Sequence, residues 1–89
     1  HGGWAAAVLD SCMGSAVHST LPAGASFTIV EFKIDFVRPI TIRTGKVRAE
    51  GTIVNVGRRI GRADGVLRDE RGEILAKGST TCLVSRPSG

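Results

Sequence analysis

Apolar side chains recur at three- and four-residue steps near the start of the chain. Ala5, Val8, Leu9, Cys12 and Ala16 mark one face, and Ala6, Met13 and Val17 form a second row. This spacing predicts a helix from Gly3 to about Ser19, apolar nearly all round and therefore buried. Gly14 inside it costs about 1 kcal/mol relative to Ala, an expense that suits close approach of another backbone. Leu21-Pro22-Ala23-Gly24 ends the helix in a turn. Asp10 stands in the second apolar row and is the only acid of the segment.

After the turn the period changes to two. Thr28, Val30, Phe32, Ile34 and Phe36 alternate with Glu31, Lys33 and Asp35 in a strand predicted over 27–38, which Pro39 closes. A second strand over 46–56 sets Lys46, Arg48 and Glu50 against Val47, Ala49 and Gly51. A tight connection at Asn55-Val56-Gly57 leads to a third strand near 59–68. Asp69-Glu70-Arg71-Gly72 then reads as a hairpin loop with glycine at the position that wants positive φ. A last strand covers about 73–84. One helix followed by four antiparallel strands is an α+β pattern, best met by a long hydrophobic helix wrapped by a meandering sheet.

Composition narrows the setting. Eighty-nine residues with 42% apolar content and four aromatics make one small domain, 1–89, near the lower limit for a self-sufficient core. Help from an oligomeric partner is expected. The chain opens on His1 without a start methionine or a signal-like segment, so it is expected to begin inside a domain. No apolar run nears the roughly 20 residues that span a bilayer, which predicts a soluble, cytoplasmic protein without a membrane role. Cys12 and Cys82 share no metal-ligand spacing and read as two buried thiols. The net charge is +4, and nine of the twelve basic residues are Arg, the side chain suited to bidentate contact with carboxylate or phosphate. These charges are interleaved with acids and lack base-stacking aromatics, so a small phosphorylated ligand fits better than nucleic acid.

Candidate chemistry begins at the helix entrance. Gly2 and Gly3 let a ligand approach unpaired backbone N–H groups and the positive end of the helix dipole, the requirement of an oxyanion hole. A simple turn is the plainer use of two glycines. Asp10 among apolar neighbours is a candidate general base or nucleophile, against the alternative of a carboxylate facing solvent or a nearby Ser. Eight residues separate Gly2 from Asp10, about 12 Å along one helix. One carbonyl does not reach both, so joint action requires two copies of the helix in a two-fold dimer, antiparallel or nearly so. His1 is a possible base or ligand or a structural residue, and His18 fits a capping cation at the helix end. Gly57-Arg58-Arg59 is either a phosphate clamp or a solvated strand end, and Arg38 before Pro39 reads the same way.

The segments HGGWAAAVLD, EFKIDFVRP, GKVRAEGTIVNVGRR and RDERGEILAKGSTTCLV, in that order, resemble the hotdog-fold acyl-CoA thioesterases, in particular the PaaI-like members of the thioesterase superfamily. The resemblance implies a hotdog fold, dimers that pair into tetramers, and hydrolysis of acyl-CoA with no cofactor or metal beyond the coenzyme A of the substrate. It implies that Gly2 polarises the thioester carbonyl, with His1 and Gly3 beside it. It further implies that Asp10 of the partner subunit activates water or attacks directly. Arg38, Pro39, Gly57, Arg58 and Arg59 fall where the family contacts the nucleotide or pantetheine of coenzyme A. Two departures accompany it. The family's Asn or Gln before HGG and its N-terminal helix and first strand have no counterpart, so the domain is expected to be N-terminally incomplete. Where the family often carries Ser or Thr to hold water, this chain has Ile29 with Thr28 adjacent; Thr28 reaches the site only if a bulge turns it inward. Rival readings are a hotdog hydratase or dehydratase and a non-catalytic acyl-CoA-binding or regulatory module. Trp4, Met13 and Val17 are candidates for lining an acyl pocket.

Overall fold

The computed structural model describes residues 2–41 and 43–87. Helix α1 spans Gly2–His18, and four strands follow: β1 (Ser26–Phe36), β2 (Arg48–Val56), β3 (Ile60–Arg68) and β4 (Ile74–Ser85). They form one antiparallel sheet in the order β1-β4-β3-β2, the hotdog arrangement of a helix packed on a sheet. The ends fall within two residues of those the periodicity predicts. The β3–β4 hairpin is closed as its sequence implies. Asp69 Oδ1 accepts from the Arg71 and Glu73 amides at 2.9 and 3.0 Å, and Gly72 adopts a φ of 84°.

The helix seats on a row of glycines. Gly51 pairs with Gly65 and Gly65 with Gly78, so three adjacent strands lack a Cβ at one level. A Cβ on Gly51 would lie 2.7 Å from the Cys12 carbonyl oxygen, and one on Gly65 would lie 2.8 Å from Met13 Cγ. The close backbone approach is therefore on the strand side. Gly14, expected to serve it, faces the ring of Phe27 at ordinary contact distance instead. Above the row, Ala5, Leu9, Met13 and Val17 are fully buried, with Leu67, Ala76 and Cys82 beneath them. Full burial of a side chain such as Leu9 or Met13 contributes about 1.5–3 kcal/mol.

Two sequence expectations change. The helix is not buried all round: Trp4, Ala7, Ser11, Ser15 and His18 form an exposed stripe, with Trp4 at 49%. A two-layer structure covers only one side of a helix. Strand β1 also does not alternate without a break. A bulge between Ile29 and Glu31 inserts Val30, so Phe27 and Ile29 face the helix before it, and Phe32 and Ile34 after it. Thr28 and Val30, expected on the side of Phe32, are exposed instead. The other edge strand carries a matching bulge at Val54. Each bulge adds a local bend and twist to its edge strand.

Gly51→Ala is expected to destabilise the fold by about 1–3 kcal/mol, because a backbone oxygen does not swing aside as a side chain does. Gly14→Ala is expected to stabilise it by about 0.5–1 kcal/mol, since the added methyl finds room and improves helix propensity. Urea titration of both variants checks the pair; equal costs would refute the seating described.

Candidate active site

The first turn of α1 begins at Gly2 and carries no acid, so its free N–H groups and positive dipole end are uncompensated. Gly3 is exposed, and a Cβ built there meets nothing within 4 Å. The helix entrance is open space bounded by backbone donors. His1 lies outside the described residues.

The glycine contacts fix the direction of the helix. Leu9 and Met13 lie over Gly65 and Gly78, and Val17 lies beside Gly61 and Val84. The helix thus runs antiparallel to β3. Its start projects toward the end of the sheet that holds Leu67, Leu75 and the β3–β4 hairpin. Asp10 sits half-buried at mid-helix. Its carboxylate takes part in none of the ion pairs among the described residues. It lies near Cys82, whose thiol is pushed up by burial and further by the Asp10 charge, while the Thr80 hydroxyl partly offsets this. Burial and the Glu50 charge push the Cys12 thiol up as well. Both cysteines are free.

The arginine candidates separate into two ends. Arg38 Nη1 donates to the Ile74 carbonyl at 3.0 Å and its Nε lies 3.6 Å from Glu73, so Arg38 and Pro39 sit at the start of β4. Gly57, Arg58 and Arg59 form the β2–β3 turn at the far end. There Arg86 donates to the Arg58 and Gly57 carbonyls, and the Val84 amide donates to Arg59. The length of β4, roughly 35 Å, lies between them, so one chain does not join them at one ligand. Thr28 belongs to the far end too, opposite Leu83 on the sheet face turned away from α1.

The Arg38 end holds more cationic chemistry than the sequence suggested. An open cleft there is lined by Arg38, Pro39, Arg43, Gly45, Glu70 and Arg71. The acids around it are engaged: Glu70 Oε1 accepts from the Lys46 amide at 3.2 Å, and Asp69 closes the hairpin. Arg43 and Arg71 take part in none of the ion pairs among the described residues. These two residues escape sequence reasoning because they lie in separate loops that only the fold brings together. Among the described residues no cluster of His, Cys, Asp and Glu is suited to a metal, and no helix is long and apolar enough to cross a membrane.

A family model described as the thioesterase superfamily matches residues 1–76. Solved structures agree. A Bacillus halodurans protein crystallised with CoA is 34% identical with a TM-score of 0.87, over 96% of this chain and 55% of that one. A thioesterase of Haemophilus influenzae is 27% identical with a TM-score of 0.89, over 97% and 59%. A phenylacetic acid degradation-related protein of Ralstonia eutropha is 29% identical with a TM-score of 0.85, over 93% and 61%. The chain thus spans somewhat more than half the length of these relatives. No match emerges among curated protein sequences.

A raised thiol pKa means that the folded chain holds its protons more tightly than the unfolded chain does. The contribution of Cys12 and Cys82 to stability is therefore complete below the ordinary thiol value of 9.0 and is lost as pH rises through the folded values. Unfolding free energy from urea titrations is expected to decline above about pH 9, and less steeply in Cys82→Ala. An equal slope in that variant would contradict it. The chain belongs to the thioesterase superfamily.

Proposed function

From that membership, we propose that the chain is the hotdog core of an acyl-CoA thioesterase whose site is divided between two copies. The observation that carries this reading is the open glycine start of α1, with a half-buried Asp10 two turns further along. The thioester oxygen accepts a hydrogen bond from the Gly2 amide, aided by the helix dipole, and gains most as it becomes an oxyanion. Asp10 of the other copy removes a proton from water as the oxygen attacks the carbonyl carbon, or attacks that carbon itself. Collapse of the tetrahedral intermediate expels the CoA thiolate; attack by water gives the acid directly, whereas attack by Asp10 leaves a mixed anhydride that water must then cleave to release the acid and restore the carboxylate.

The geometry of such a pair follows from the spacing. If Gly2 of one antiparallel helix faces Asp10 of the other, residue 6 lies on the two-fold axis. Ala6 and Ala7 occupy that level, and their small side chains allow the helices close approach. The two helices then overlap over roughly their first ten residues, and Ser15 and His18 lie beyond the start of the partner helix. Antiparallel pairing also sets the Gly57-Arg58-Arg59 turn of one copy beyond the helix entrance of the other, on the side of its Arg38 cleft. The two groups of arginines that one chain holds apart thereby share one end. Arg43 and Arg71 supply guanidinium groups for the phosphates of CoA.

Release of CoA thiol from short, medium, long and aromatic acyl-CoAs measures the activity. Asp10→Asn is expected to lower kcat by roughly 10²–10⁴-fold with an unchanged melting temperature, and full activity in it would overturn the assignment. Gly2→Pro removes the amide donor at a helix position that proline tolerates. Mixed dimers of Asp10→Asn with Gly2→Pro chains contain one intact site, so activity returns on co-expression. A site within one chain would show no such return. Arg71→Ala is expected to raise KM severalfold with little change in kcat.

A further inference from the structure

The end of the molecule opposite the helix entrance carries positive charge without a counter-charge. Three stretches meet there: residues 21–26 after the helix, 56–61 at the β2–β3 turn and 83–87 at the end of β4. None of them contains Asp or Glu. Arg58, Arg59 and Arg86 are exposed, and none joins the ion pairs found among the described residues. The turn is fastened from one side. Its successive carbonyl oxygens all accept from the end of β4: Gly57 from Arg86 Nη2 at 3.2 Å, Arg58 from Arg86 Nε at 3.0 Å, and Arg59 from the Val84 amide at 2.7 Å. Arg86 is itself held in place. It precedes Pro87, a neighbour that favours extended backbone. Pro87 lies against Gly24, where an added Cβ would come within 3.3 Å of the proline ring. Arg86 also lies beyond residue 76, where the match to the thioesterase family model ends.

We propose that Arg86 is a positioning residue for the phosphates of CoA, acting through Arg58 and Arg59. The inference rests on the acyl-CoA reading above, whose antiparallel pairing sets this end of one copy beyond the helix entrance of the other. A turn that meets phosphates has to keep its carbonyl oxygens away from them, because each carries partial negative charge. The Arg86 guanidinium engages two of these oxygens and the Val84 amide engages the third, all on the β4 side. A planar fork suits two acceptors at once in a way that a compact ammonium does not. The bonds leave the charge of Arg86 in place, so the turn gains a third cation while its carbonyls are occupied. Arg58 and Arg59 then act from a fixed backbone, and less freedom is lost when they close on a phosphate. At the other end of the chain the arginines share their space with acids. Arg38 lies beside Glu73 and Arg68 beside Glu50, so an anion there competes with carboxylates. Guanidinium groups free of such competition favour phosphate, which accepts paired bonds from Arg.

Calorimetric titration with free CoA reads this end of the molecule without requiring turnover. Arg86→Ala is expected to weaken CoA binding about tenfold, the scale of a lost bond to a charged group. KM for acyl-CoA should rise by a similar factor with kcat unchanged. KM for the matching acyl-pantetheine, which lacks the nucleotide phosphates, is expected to stay at its native value. Arg86→Lys keeps the charge without the fork and is expected to leave most of the loss in place. In a chain already carrying Arg58→Ala and Arg59→Ala, adding Arg86→Ala is expected to weaken binding by less than about twofold, because the residues it positions are gone. Native affinity in Arg86→Ala, full recovery in Arg86→Lys, an equal rise in KM for acyl-pantetheine, or a second tenfold loss in the double-alanine chain would each refute the proposal. A native chain that binds CoA and responds to Arg86→Ala, yet hydrolyses no acyl-CoA, would uphold the proposal and sink the thioesterase reading instead. A native chain that binds no CoA would sink both. Circular dichroism of each variant separates loss of binding from loss of fold.

Discussion

The structure depends on how closely α1 approaches the sheet. Gly51, Gly65 and Gly78 remove three side chains at one level, and the Cys12 carbonyl and the Met13 side chain occupy the space they leave. Everything that positions the candidate site follows from this seat. The long side chains of Leu9 and Met13 pin the middle of the helix, so its glycine start extends past the sheet interior toward the β3–β4 hairpin. The same seat turns Asp10 to the flank rather than into the core, half-buried and within reach of another molecule.

Periodicity made the elements legible because each has one dominant repeat. The helix announces itself through Ala5, Leu9, Met13 and Val17, and the strands through alternation bounded by Pro39, Gly57 and Gly72. What eluded it depends on register between strands. Val30 is apolar, so a period-two count passes through it without detecting the bulge that moves Thr28 to the far face. The three glycines of the seat look like unrelated weak points in separate strands until pairing places them in a row. Arg43 and Arg71 meet Arg38 only through loop closure, which leaves no periodic trace. The spacing of Gly2 and Asp10 was legible because both lie on one rigid element whose rise per residue is known.

The molecule is a slab with principal extents of 52 × 19 × 17 Å, one helix over one sheet. Such a shape leaves two broad surfaces outside its core. Glycine and alanine at the helix–sheet contact thin that core further, and four aromatics in the whole chain add little bulk. Small domains bury a modest fraction of their surface on folding. The two broad surfaces differ in kind. The outward helix stripe is small and weakly polar, suited to close helix contact, whereas the open sheet face is charged. The helix stripe and the sheet face lie on opposite sides of the slab, and the helix entrance at Gly2 lies at one end of it.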